Sequence, residues 1–193
     1  FGHPANMSEI NLIAEKYNLF VVEDAACGFG SQINGKHVGN FGNTGCFSFH
    51  PRKSITTGEG GMITTNDELL AKKIICLRDH GAEISDRQRH LGPKPYLLSD
   101  HIYAGFNLRM TDIQAALGCA QIKRGQDIVK ERVKIAENYF KDLSELSFLR
   151  LPLKIDDFTN GYQSFPCLFE PNQVYKSIAE KNIKKYNFLK MQR

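Results

Sequence analysis

Apolar positions along the chain change period again and again, and each change marks an element. Ile10, Ile13, Ala14 and Tyr17 recur at helical spacing behind Asn6 or Ser8, either of which can cap a helix. Leu19-Phe20-Val21-Val22 follow at once. A short, wholly apolar run after a helix predicts a buried parallel strand, here ending in Glu23-Asp24-Ala25-Ala26. Asn34-Gly35 predicts a tight hairpin. Residues 45–49 read as a strand ended by Pro51, which has no donor for a ladder, and residues 62–65 read as another. Asn66 predicts the cap of a helix over 67–77 with Leu69, Leu70, Ile74 and Leu77 inward. Residues 78–105, with Pro93 and Pro95, read as a long irregular segment of the kind that forms lids or interfaces.

Thr111 and Gln114 stand in capping-box spacing before a small-residue helix. Gly125 interrupts it, and a longer helix is predicted over 126–146 with Ile128, Ile135, Tyr139, Leu143 and Leu146 on its apolar side. The rhythm breaks at 149–152, a plausible domain boundary. Residues 163–169 read as a strand that Pro166 confines to an edge or a bulge. Strands alternating with helices argue an α/β fold with a largely parallel sheet.

Composition narrows the class. At 41% hydrophobic and 24% charged residues the chain is that of a globular protein, and 193 residues suffice for one sizeable core, or for one domain and part of another. A net charge of +4 is too small to argue for nucleic acid, and no basic stripe interleaved with aromatics appears. The densest basic cluster, at 181–193, reads as a solvated helix face. The cysteines at 27, 46, 76, 119 and 167 are odd in number and lack CxxC spacing, so reduced thiols in a cytoplasmic protein are expected, not a disulfide framework or a metal site. The histidines show no metal-binding pairing. No apolar run approaches the ~18 residues of a membrane span, and no signal peptide is present.

The candidate chemistry lies in two places. Lys53 sits between two strands in a turn backed by Gly58, Gly60 and Gly61. It is either a surface charge or an amine that glycine lets approach another group closely. Glu23 and Asp24 end a strand where open α/β sheets place their ligands, although Asp24 can also cap a turn. A lysine and a strand-end carboxylate are what pyridoxal phosphate (PLP) needs: an amine for a Schiff base, and an anion that keeps the ring nitrogen protonated. Partial desolvation beside other cations helps such a lysine lose its charge.

Taken in order, Val22-Glu23-Asp24-Ala25-Ala26, Gly45-Cys46-Phe47-Ser48-Phe49 leading to Lys53, Thr57-Gly58-Glu59-Gly60-Gly61, Arg78-Asp79-His80-Gly81, the run 105–116 and Tyr162-Gln163-Ser164-Phe165 resemble the DegT/DnrJ/EryC1/StrS family of PLP-dependent sugar aminotransferases over residues 1–170. The resemblance implies a fold-type I, three-layer α/β sandwich with a mostly parallel sheet, present only in part. Residues 1–148 would be the second half of the large PLP-binding domain, including the long linking helix, and 149–193 the start of the small C-terminal domain.

It implies roles as well. Lys53 would attach the cofactor and shuttle the proton, and Asp24 would pair with the ring nitrogen. Ala26 and Cys27 would lie against the cofactor. Ser48 would donate to its phosphate, and Asn107 would reach the phosphate of the other subunit of a homodimer. Cys27 departs from the glutamine or histidine common at that position, and is a poorer hydrogen bonder near the ring hydroxyl. His50 and His80 can lie near the site, packed or exposed. The implied activity is transfer of an amino group, from glutamate as amino-acid donor, to a keto-sugar nucleotide, a 4-keto-6-deoxyhexose, in cell-surface polysaccharide or secondary-metabolite biosynthesis. No nucleic acid or membrane is involved. Two alternatives remain: a sugar dehydratase of the same fold, which Lys53 argues against because such relatives often carry histidine there, and a non-catalytic binding relative. Relatives carry a preceding segment with a phosphate loop and an aromatic that stacks on the ring. The 193 residues alone are therefore expected to bind PLP weakly, without turnover, and to expose apolar surface.

Overall fold

A computed structural model describes residues 1–171, 173 and 174. The basic cluster at 181–193 lies outside them. Asn6 caps α1 (Met7–Tyr17) by accepting from the Glu9 N–H. The expected strand starts later than its apolar run. Leu19 and Phe20 lead into β1 (Val22–Asp24), and Val21 is held instead by residue 43, through the Asn43 Oδ1 and the Asn43 N–H. Nor is β1 buried. It is an edge strand of the sheet β1-β4-β5, so Leu19, Phe20 and Val22 are each more than half exposed.

Asn34 and Gly35, at φ 49° and 75°, turn the chain between β2 (Gln32–Ile33) and β3 (Lys36–His37) as the Asn-Gly signal predicts. β4 (Thr44–Ser48) runs parallel to β1, with Asp24 opposite Cys46, and antiparallel to β5 (Gly61–Thr64), with Ser48 opposite Gly61. Among the described residues, the parallel character of the sheet rests on that first pair. The turn carrying Lys53 joins two antiparallel neighbours.

The next helix, α2 (Glu68–Arg78), is capped by Asp67 and not Asn66. The Asp67 carboxylate accepts from the N–H groups of Leu69 and Leu70, and an anion suits a helix N-terminus better than an amide. Cys76 is its buried residue, while Leu69 faces solvent, against expectation. The segment read as irregular contains α3 (Asp86–Leu91), with its own capping box from Ser85 and Gln88. Bridges Ala82–His101 and Asp79–Asn107 return the excursion to its base.

Thr111 and Gln114 form the predicted capping box of α4 (Asp112–Ile122). Gly125 opens α5 (Gly125–Leu143), where a side chain would strike the Phe29 ring. α5 stops short of Leu146, whose N–H closes a turn on Leu143. Ala136 is its most buried side chain, and Ile135 and Tyr139 stand at the margin, about half exposed. Two further strands, β6 (Leu149–Arg150) and β7 (Phe158–Thr159), follow. β7 pairs with β2, so the chain beyond α5 returns to the hairpin. Of 163–169, β8 (Leu168–Phe169) alone joins a ladder, against β6. Pro166 offers no donor, and the backbone at 162–164 is engaged by Arg132 and by the Phe1 carbonyl.

The buried apolar residues are few and mostly small: Met7, Ala14, Ala25, Ile33, Val38, Ile55, Cys76, Ala136, Phe148 and Val174. Ile10, Leu12, Ile13 and Tyr17 of α1 and Ile113, Leu117 and Ile122 of α4 lie exposed, so apolar surface is open on two helices.

Candidate active site

Alternation along β1 sends its two carboxylates opposite ways. Glu23 turns inward, is buried, and accepts from the N–H groups of Gly39 (2.7 Å), Phe41 (2.5 Å) and Gly42 (2.6 Å). It folds the loop between β3 and β4 and is not a ligand group, which corrects the reading of Glu23-Asp24 as a ligand-facing pair. Asp24 points out at the strand end. Its Oδ1 accepts from the Ala26 N–H at 3.1 Å, so the capping role is real, and the carboxylate stays exposed. Asp24 and Cys27 both line a cavity of about 300 Å³ between β1, the residues around Gly2 and the start of α1.

Lys53 comes to the same strand end from the loop after β4. Its N–H closes a turn on the His50 carbonyl at 2.9 Å, and the His50 Nδ1 accepts from the Arg52 N–H. His50 thus shapes the turn, while His80 is exposed at φ 59°. The Lys53 Nζ lies 3.0 Å from the Cys27 Sγ, which ties the amine to the turn that follows Asp24. Ser48 ends β4 with its hydroxyl accepting from the His50 N–H at 3.3 Å. Neither Lys53 nor Ser48 lines the cavity. The amine approaches it through Cys27.

Asn107 stands apart. Its backbone bridges Asp79, whose carboxylate pairs with Arg109. Its side chain is exposed and makes no hydrogen bond among the described residues.

Three glutamines brace the lysine loop. The Gln121 amide meets Thr56 twice, accepting from its N–H at 3.0 Å and donating to its carbonyl at 2.9 Å. Gln114 accepts from Thr111 in the capping box and donates to the Glu59 carbonyl at 3.1 Å. Gln163 accepts from the Ser54 hydroxyl at 2.9 Å and donates to the Arg52 carbonyl at 2.5 Å. Sequence patterns show Gln114 only as a cap and Gln163 only within a motif. Neither pattern carries the distant backbone group each side chain reaches. Beside Gln163, burial first and the charge of Glu137 second hold the Tyr162 phenol above its ordinary 10.0, and burial raises the Cys167 thiol above 9.0. Both are therefore neutral near pH 7.

An amine, a carboxylate at a strand end, and a hydroxyl one turn before the lysine make a donor set that fits PLP. Lys53 and Asp24 are the groups that would hold its carbonyl carbon and ring nitrogen. No helix of the described residues is long and apolar enough to cross a membrane.

The chain was compared with known proteins. The model of the DegT/DnrJ/EryC1/StrS aminotransferase family matches residues 1–189. An uncharacterised protein of Methanocaldococcus jannaschii is 39% identical over 173 residues, which cover 90% of this chain and 45% of that protein. GDP-perosamine synthase of Escherichia coli O157:H7 is 40% identical over 146 residues, 76% of this chain and 37% of the enzyme. Among solved structures, Helicobacter pylori PseC, an aminotransferase involved in pseudaminic acid biosynthesis, superposes with a TM-score of 0.78 at 27% identity, over 92% of this chain and 46% of that one. The chain thus spans less than half the length of these relatives.

Proposed function

The chain belongs to the DegT/DnrJ/EryC1/StrS aminotransferase family, and from that membership we propose that the protein carrying it transfers an amino group from an amino acid, glutamate, to the keto group of a nucleotide-linked sugar. The observation that carries this reading is the meeting of the Lys53 amine with Cys27, beside the Asp24 strand end, at 3.0 Å. The contact sets the amine against a thiol that lines the same cavity as the Asp24 carboxylate.

The family's cofactor is pyridoxal phosphate, which when bound supplies an electron sink for the carbon that loses its proton. Lys53 would hold the cofactor through its amine, and that amine is the group that would take and return the proton at the substrate carbon. The Asp24 anion favours the protonated ring nitrogen. The Ser48 hydroxyl would donate to the phosphate, and Asn107, whose side chain has no hydrogen-bond partner among the described residues, would serve the phosphate in the second subunit of a homodimer. The substrate is a 4-keto-6-deoxyhexose nucleotide, a reading supported by the name of the perosamine synthase relative.

The visible spectrum of the intact protein tests this. Glutamate is expected to bleach the band of the lysine-bound cofactor, and a keto-sugar nucleotide to restore it. A band indifferent to every amino donor would sink the transaminase reading and leave a dehydratase or a binding protein.

A further inference from the structure

Gln163 clasps the residues on both sides of Lys53: its carboxamide nitrogen donates to the Arg52 carbonyl on one, and its oxygen accepts from the Ser54 hydroxyl on the other. The clasp is anchored away from the turn. The Tyr162 and Gln163 carbonyls accept from the Arg132 guanidinium on α5 at 3.1 and 3.3 Å, and the Ser164 N–H donates to the Phe1 carbonyl at 3.1 Å. Lys53 itself lies outside every ladder: its N–H bonds the His50 carbonyl, the Arg52 N–H bonds the His50 Nδ1, and the loop closes on the Phe49 carbonyl only at Thr56 and Thr57. A lysine has a long stem with many rotamers, so where its amine stands depends on how firmly its Cα is held.

We propose that Gln163 is a positioning residue for the Lys53 amine, and that it fixes the Arg52–Ser54 backbone so that the amine stays at the Cys27 end of β1. The proposal rests on the reading that Lys53 is the lysine that takes the cofactor. Glutamine suits the place because it offers one donor and one acceptor at once. Glutamate has nearly the same volume but would set a carboxylate oxygen against the Arg52 carbonyl.

The test uses the intact protein stripped of PLP. PLP is added back, attachment is followed by absorbance, and the site is mapped by borohydride trapping and peptide analysis. Gln163→Glu is expected to slow attachment at Lys53 on the order of tenfold, since the donor to the Arg52 carbonyl is lost and two acceptors are left facing each other, and to lower kcat for glutamate more than it raises KM. Ser54→Ala, which removes one arm, is expected to do the same to a lesser degree. Gln163→Ala added to Ser54→Ala should cost less than it does alone. Folded Gln163→Glu protein with wild-type attachment and kcat overturns the proposal. If that variant does not fold, wild-type rates in Ser54→Ala overturn it. If trapping marks another lysine in the wild type, the assignment of Lys53 has failed separately. Competitive acylation without PLP then decides on Gln163: reactivity of Lys53 relative to Lys36 unchanged in the variants overturns the clasp, and a several-fold change upholds it.

Discussion

The Lys53 amine donates to the Cys27 thiol at 3.0 Å. Sulfur is a weak acceptor, so the contact directs the amine without binding it tightly. Cys27→Ala is expected to keep PLP attachment and to lower turnover about fivefold, the scale of one ordinary hydrogen bond. Loss of all attachment in a folded Cys27→Ala protein would give the thiol a larger part than this.

Lys53→Ala is expected to abolish the borohydride-trapped cofactor. Lys36 is the nearest rival in sequence terms, but it stands exposed after the hairpin, over the Phe41 ring. Peptide mapping that finds cofactor on Lys36 in the wild-type protein would contradict this.

Asp24→Asn keeps the size of the side chain, and its oxygen can still accept from the Ala26 N–H, so the local turn should survive. The ring nitrogen would lose its anion. Cofactor is expected to bind, while turnover falls by at least tenfold, the effect of one pKa unit or more on the nitrogen. Single-turnover kinetics with glutamate measure this, and near-normal rates would return Asp24 to its capping role alone.

The Asn107 side chain has no hydrogen-bond partner among the described residues, and its backbone bridges Asp79. If it serves a second subunit, mixing inactive Lys53→Ala and Asn107→Ala proteins restores part of the activity, because one site of each mixed dimer is intact. Absence of recovery after proven subunit exchange would count against the cross-subunit role.

Glu23→Gln replaces one carboxylate oxygen with an NH₂ group facing backbone N–H donors. Glu23 is 7% exposed, so water cannot repair the mismatch. A loss of about 1–3 kcal/mol is expected, read as a lower urea midpoint at an unchanged slope. An unshifted midpoint would mean that the loop at 39–42 is held by other means.

Much of this was legible beforehand, for local reasons. Caps, the Asn-Gly turn and the strand-end position of Asp24 depend on neighbours in sequence, and their signals survive without the rest of the fold. What misled was burial. The run Leu19–Val22 is apolar enough for a central strand, yet β1 is an edge here, and Leu69 has the period of an inward residue but faces solvent. Periodicity tells which residues can be covered, and nothing of what covers them. The divergence of Glu23 from Asp24 follows from strand alternation and was open to prediction. The reach of Gln121 and Gln163 was not, because a side-chain amide bonded to a distant backbone leaves no pattern.

The pairing of late residues with early ones also bears on how the chain comes to be folded. Ser54 and Gln163 are 109 positions apart, and the Ser31 hydroxyl that receives the Gly161 N–H is 130 positions from it. Closing loops of that length costs entropy before any contact repays it. During synthesis the strands and hairpin around Lys53 leave the ribosome while Gln163 is still unmade, so the turn that carries the amine must wait for a partner made 109 residues after Ser54.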